Sequence, residues 1–438
     1  MESIKKKLDN FTIILISSLP FALAAGPAVI EVFTFIIICN FLILRKKISF
    51  EIKEFYIFLF YFIAIISSLL SEYKIHSLKA SFFLIRIILL YYIFKHYFEF
   101  DGKKIIDLTF KVLTITLIIL MFDVFFQFFF KFSFFGTSLQ ATNRMSMHFR
   151  DESIIGGYLS KILPIYIFIW VVKFKDSSLK LNIAFFIIIL LTIISTFLTN
   201  ERAAVFFLVI FLFMIILFSN IRNLNKLFFL SLLVVFSITI VLTVPSIKNR
   251  VIDQTIMELT GQNDIYFKKE SNMLPDQNRR EVNVEIVSDK TIQYFKEKKN
   301  NNIFIFSTAH DAHIRTALNI FINEFFLGVG PNNFRNFCTE EKYGVYAERG
   351  CNTHPHHILS QVLSEVGIVG FIFYFILIIY MIKILLRQLI HKDLNYSQIF
   401  IFCFYLLLFS PIMPSGNIFN NWYLYSISLP ILYIKFYK

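Results

Sequence analysis

A succession of apolar runs of near-bilayer length, separated by short basic stretches, constrains this chain more than any other feature. Such runs lie at about 11–25, 30–44, 55–70, 80–94, 105–130, 154–172, 181–198, 203–218, 227–244, 367–382, 399–412 and 423–434. A helix crossing a hydrocarbon core of about 30 Å needs roughly 20 apolar residues, and only a helix or a closed barrel satisfies its backbone polar groups there. The expected fold is therefore all-α, a polytopic membrane protein with about twelve transmembrane helices. Hydrophobic residues make up 57% of the 438, above the soluble globular range, which excludes a water-soluble domain.

The formal net charge of +13 raises the question of nucleic acid, and the placement of the cations answers it. With the N-terminus in the cytoplasm, Lys5, Lys6, Lys7, Arg45, Lys46, Lys47, Lys103, Lys104 and Arg222 all fall in cytoplasmic loops. The opposite short loops hold fewer: Lys74, Lys131, Arg144, Arg150 and Arg202. This bias sets an orientation with both termini cytoplasmic, so the charge reads as topology and no nucleic-acid partner is expected. The chain then divides into a membrane domain of spans one to nine (1–245), a large, partly helical periplasmic loop (246–355) and spans ten to twelve (356–438). Lys5–Lys7, the run after them, Ala22 and Ala24 imitate a cleavable signal peptide; Pro20 and the renewed apolar run at 29–44 favour an uncleaved first hairpin.

Charges inside apolar runs are costly and need partners or a polar cavity. Arg86 is one, read either as functional or as paired with a residue such as Asp123; Lys111 and Asp123 are treated alike. At the outer face, Arg144 and Arg150 either bind a phosphate group or form a solvated run, with Arg150 paired to Asp151 or Glu152. Arg202, read alone, is a snorkelling anchor at the mouth of a span.

Within the long loop, apolar positions at helical spacing mark 312–326, with Arg315 near the start and Gly328, Gly330 and Pro331 after it. Cys338 and Cys351 form either a disulfide, worth about 3 kcal/mol for a loop of that size, or two free thiols; an oxidising compartment favours the disulfide. His310, His313, His354, His356 and His357 raise a metal reading, but no Cys-x-x-Cys or His-Glu-x-x-His accompanies them, and no metal or cofactor is expected. Chemistry concentrates at 354–371, where His354, His356 and His357 precede a helical run bearing Gln361 and Glu365, then Gly367 and Gly370.

These residues carry a resemblance. His356 and His357, nine residues, then Gly367-Ile-Val-Gly370 resemble the His-Asn/Ser/Gln-x9-Gly-x-x-Gly signature of bacterial O-antigen ligases, integral membrane glycosyltransferases in a superfamily shared with polymerases. His357 stands where Asn, Ser or Gln is usual, and the spacing selects His356. Arg315 followed by Leu327-Gly328-Val-Gly330-Pro-Asn-Asn-Phe334 is similar to the segment preceding that signature, and Glu201-Arg202-Ala-Ala is similar to a Ser-Arg-small motif. Phe149 to Leu159, with Gly156 and Gly157, resembles another superfamily element.

The resemblance implies transfer of a glycan from undecaprenyl pyrophosphate to a lipid A-core sugar hydroxyl, by metal-independent inverting displacement at the periplasmic face of the bacterial inner membrane. It implies His356 as the catalytic base and Arg202 and Arg315 as pyrophosphate ligands. Arg144, Arg150, His354, His357, Gln361 and Glu365 form a second rank of candidates. Gln361 and Glu365 follow His356 at about one-turn steps, so they either orient the imidazole, contact a sugar, or cap and pack the helix. Two other readings stay open: a polymerase of the same superfamily, and a transporter using Arg86, Lys111 and Asp123 as a relay, for which matching inverted halves are the missing sign.

Overall fold

The computed structural model describes residues 2–46, 50, 54–138, 144–149, 152–174, 176–219, 222–259, 307–340, 342–343, 350–391, 395–410 and 413–437. Arg150, its proposed partner Asp151 and the segment 262–302 lie outside the described residues. The rest is helical, and among the described residues there is no strand, only an isolated bridge between Phe132 and Ser138.

In chain order the helices are α1 (Glu2–Ser17), α2 (Leu19–Ala25), α3 (Pro27–Ile43), α4 (Phe55–Leu70), α5 (Lys74–Phe82), α6 (Ile85–Phe130), α7 (Ile155–Ile169), α8 (Leu179–Leu198), α9 (Arg202–Phe218) and α10 (Asn223–Thr243). The short α11 (Pro245–Lys248) and α12 (Gln254–Leu259) flank a π-turn at Asn249–Asp253. Then come α13 (Thr308–Asn323), α14 (Phe334–Phe337), α15 (Ile358–His391), α16 (Tyr396–Leu408) and α17 (Asn421–Phe436).

Five described segments are long and apolar enough to cross a membrane: Lys74–Phe130, Ile155–Phe174, Leu179–Leu198, Asn223–Thr243 and Ile358–Arg387. The pair Ser3–Ser17 and Leu19–Ala25, bent by 53°, makes a sixth if taken as one span. Length and composition thus support five or six of the about twelve expected crossings among the described residues; shorter apolar helices such as α9 and α16 fall below the roughly 20 residues a straight crossing takes, and Lys74–Phe130 merges two expected runs into one segment. One merger has a clear cause. The 46 residues of α6 would rise about 69 Å if straight, and Asp101 interrupts them with φ −155° and ψ 58°. Its carboxylate then accepts from the Lys104 amide at 3.3 Å, capping the second half.

The core lies where α6, α7, α8, α9, α16 and α17 pack together. Its tyrosines keep their hydroxyls satisfied: Tyr158 donates to the Pro20 carbonyl at 2.8 Å and Tyr97 to Asp9 at 2.9 Å. By contrast α10 shows Leu227, Phe228, Leu232, Val235 and Leu242 on its surface, the outside of a protein whose solvent is hydrocarbon.

The charges inside apolar helices are placed individually. Arg86 pairs with Glu31, not Asp123, and donates to Asn421 at 2.8 Å. Asp123 instead accepts from Ser133 at 2.8 Å and from the Phe134 amide at 2.6 Å. Lys111 is exposed on α6. The three are therefore not assembled into a relay.

Candidate functional site

Two constructions meet at the site, and the first is backbone. Gly367 breaks α15 with φ 69°. A break leaves carbonyls before it and amides after it without intrahelical partners. The segment 325–330 supplies both sets: the Val329 and Gly330 amides donate to Ser364 and Glu365 at 2.9 Å each, and the Ile368 and Val369 amides donate to Phe325 and Phe326 at 2.8 and 3.3 Å. The approach is close enough that a Cβ on Gly367 would stand 2.4 Å from the Phe326 carbonyl, and one on Gly328 2.5 Å from that of Ser364. The glycines of the two sequence motifs thus face each other's backbone.

Side chains complete this clasp. Glu365 accepts from the Phe334 amide at 3.0 Å and from Gln361 at 2.9 Å, and Gln361 also donates to Asn417 at 2.7 Å. Ser67 of α4 donates to the Leu327 carbonyl at 2.6 Å. Gln361 and Glu365 are fully buried here, which favours packing over contact with imidazole or sugar. His357 is buried too, its Nδ1 accepting from the Ser360 amide at 3.4 Å as a helix cap.

The second construction is the cavity, about 1060 Å³. Cys338 and Cys351 are joined as a disulfide, with Cα atoms 5.0 Å apart, tying α14 to the strip that leads into the cavity wall. Along that strip His356 adopts a left-handed φ of 55°, strained for a residue with a Cβ, while its carbonyl accepts from the Ser415 amide at 2.8 Å. Ser307 caps α13, accepting from the His310 amide at 3.2 Å, and projects His310 and His313 to the same place. Ring centroids of His354 and His313 lie 4.1 and 5.5 Å from that of His356, and His310 is also at 5.5 Å. All four line the cavity.

Burial pushes His310, His313 and His356 down to about 4 and His354 to about 3, with imidazole neighbours adding to the effect. His356 is thus neutral at ordinary pH, well below an unperturbed imidazole. Among the described residues no group of three or more His, Cys, Asp or Glu is arranged to hold a metal ion.

The cations of the wall differ from the expected set. Arg202 lines the cavity, its Nη2 held by both oxygens of Glu258 at 2.8 and 2.9 Å and its Nη1 donating to Thr255 at 3.1 Å. Arg144 lines it as well, donating to the Ser153 carbonyl at 3.0 Å. Arg315 does not line it: its Nε donates to Asp311 at 2.7 Å. The reason is helical phase, since position 315 stands about 200° around α13 from His313. In its place stands Arg250, from the π-turn, which burial and the neighbouring Arg202 and Arg144 push down to about 10. Lys161 and Glu201 also line the wall; the Glu201 carboxylate accepts the Gly156 and Gly157 amides at 2.6 and 3.0 Å, and burial raises it to about 7. Lys161 was legible as a charge inside an apolar run; nothing in sequence singled out Arg250.

The fold and cavity define a class: an all-helical, multi-pass membrane protein with a pocket that joins imidazoles to guanidinium groups. Residues 186–375 match the family model described as O-Antigen ligase, a finding that supports the resemblance carried by the motifs. That stretch includes Glu201-Arg202-Ala-Ala, Leu327 to Phe334 and His356 to Gly370, but not Phe149 to Leu159. The family implies a membrane glycosyltransferase-like ligase or polymerase acting on lipid-linked glycans. No curated protein and no solved structure matches the chain.

Proposed function

We propose that the protein transfers a glycan from undecaprenyl pyrophosphate to a lipid A-core sugar hydroxyl, at the periplasmic face of the bacterial inner membrane. The observation that carries this reading is one cavity wall shared by a neutral, strained His356 and by Arg202, Arg250 and Arg144. The four Lys and Arg of the lining against its two Glu leave a net charge of +2, suited to a diphosphate.

The acceptor hydroxyl oxygen attacks the anomeric carbon from the face opposite the phosphate, and His356 takes its proton as the new bond forms. The bond from the anomeric carbon to the phosphate oxygen breaks with its electron pair, releasing undecaprenyl pyrophosphate with inversion at carbon. Guanidinium groups stabilise the charge that grows on the leaving oxygens, where planar forks match phosphate geometry. Glu258 grips Arg202 through both carboxylate oxygens, so phosphate oxygens binding there exchange with it. Bringing in the anion also raises the His356 pKa toward a more effective base. Arg150, outside the described residues, and the division into membrane domain, loop 246–355 and second membrane domain belong to the same proposal, with the loop periplasmic and both termini cytoplasmic.

The test is transfer from a synthetic undecaprenyl-pyrophosphate glycan by the purified full-length protein, offered either lipid A-core or a second lipid-linked glycan. Product on lipid A-core alone supports the ligase; product only on the second lipid-linked glycan replaces it by the polymerase. No product on either overturns both.

A further inference from the structure

One cation of the cavity has no role in the reaction as described. Lys161 lies in α7 among apolar neighbours, where a charge is expensive unless it reaches polar surroundings. It does so by folding back one turn, its Nζ donating to the Gly157 carbonyl at 3.1 Å. The ammonium then lies 5.3 Å from the ring centroid of Tyr423 and 5.9 Å from that of Phe207. On the same side stands Glu201: a Cβ on Gly157 would meet Lys161 Nζ at 3.5 Å and a Glu201 oxygen at 3.6 Å. An ammonium carries three donors, and the hydrogen bond to Gly157 uses one of them. Val205, Phe206, Val209, Val241 and Leu242 wall the apolar part of the same cavity. Lys161 therefore joins a surface fit for an isoprenoid chain to the arginine-bearing polar part.

We propose that Lys161 is a donor-binding residue whose ammonium takes an oxygen of the lipid-side phosphate of the diphosphate, with Glu201 as its positioning counter-charge. The inference rests on the reading of the cavity as a site of lipid-linked glycan transfer.

The experiment measures binding of farnesyl diphosphate and farnesol to the full-length protein in nanodiscs across a salt series. Lys161→Met weakens farnesyl diphosphate binding about tenfold to a hundredfold, the range for a hydrogen bond to a charged group, and flattens its salt dependence; farnesol binding is unchanged. Lys161→Arg stays within about threefold of the native protein, and the double variant Lys161→Met with Glu201→Gln, which removes both charges together, shows the same loss. A purely structural lysine would lower the melting midpoint without selecting for the diphosphate. Lys161→Met with native melting and binding within about twofold overturns the proposal. If Arg250→Met abolishes binding while Lys161→Met does not, only the lysine's role falls; if the native protein binds no farnesyl diphosphate, the transfer reading falls with it. A check independent of variants is labelling of native Lys161 by an amine-selective reagent: farnesyl diphosphate protects it, and undiminished labelling overturns the proposal.

Discussion

The glycine clasp and the histidine cavity are built from adjacent residues of the same strip, yet they treat polar groups in opposite ways. In the clasp the orphaned backbone groups around Gly367 find partners across the gap, and Gln361, Glu365, Asn333 and Asn417 are hydrogen-bonded while buried. Around the cavity, Arg144 Nε, Arg250 Nε, His313 Nδ1 and Ser415 Oγ are buried with no hydrogen-bond partner among the described residues, and His356 holds a left-handed backbone. A satisfied buried network rigidifies and specifies a structure, whereas unsatisfied groups and strain cost stability and persist where a ligand completes them. The contrast separates residues that hold the site from those proposed to carry its chemistry, although His356 and Gly367 fall inside one short motif.

The sharpest way to break this division is His356→Ala, which lowers the transfer rate about 10²- to 10⁴-fold while the melting midpoint stays near native; near-native turnover removes His356 from the mechanism. Next, Arg250→Met lowers turnover about 10²- to 10³-fold, whereas Arg315→Met, off the cavity wall, changes it less than about threefold. Equal losses would return Arg315 to the site. On the other side of the comparison, Gly367→Ala adds positive-φ strain to a collision with backbone and costs about 3 kcal/mol or more, read as loss of folded protein in detergent; native-like melting would mean the clasp yields easily.

A pH series sharpens the contrast further. His356 must be neutral to accept a proton, so kcat/KM stays flat from neutrality down and is lost as pH falls through about 4, while kcat, measured with the anion bound, turns down at higher pH. Stability follows the same sign: the unfolded imidazoles bind protons below about 6.5 and His310, His313 and His356 only below about 4. Between those values the unfolded chain holds more protons, so stability declines as the solution is acidified. A limb in kcat/KM near 6.5 would mean an exposed imidazole. The smallest effect is expected from Glu258→Gln, which weakens the grip on Arg202 and tightens diphosphate binding by up to about tenfold; weaker binding would make Glu258 part of the donor site.

Apolar patterning made the helical membrane class legible, because a charge-poor run of bilayer length has few alternatives. The number of crossings was less so: α6 joins two expected spans through Asp101, and short helices such as α9 and α16 do not individually reach bilayer length. Motif spacing brought out His356 and Arg202, since both lie at fixed distances from small residues that admit close packing. Arg315 was misplaced because proximity in sequence ignores helical phase. Glu31, the partner of Arg86, could not be read because the pairing is tertiary. His310 and His313 stood out only as metal candidates, and their convergence on His356 depends on how α13 docks against α15.

The interruption at Gly367 also has a mechanical consequence. The first nine residues of α15 are anchored to segment 325–330 rather than continuing the regular ladder of the remainder. Because the Ile368 and Val369 amides beyond the break are bonded to the same segment, the two halves of α15 are splinted at one fixed angle, and the imidazole-bearing strip stays in register with the helix that follows.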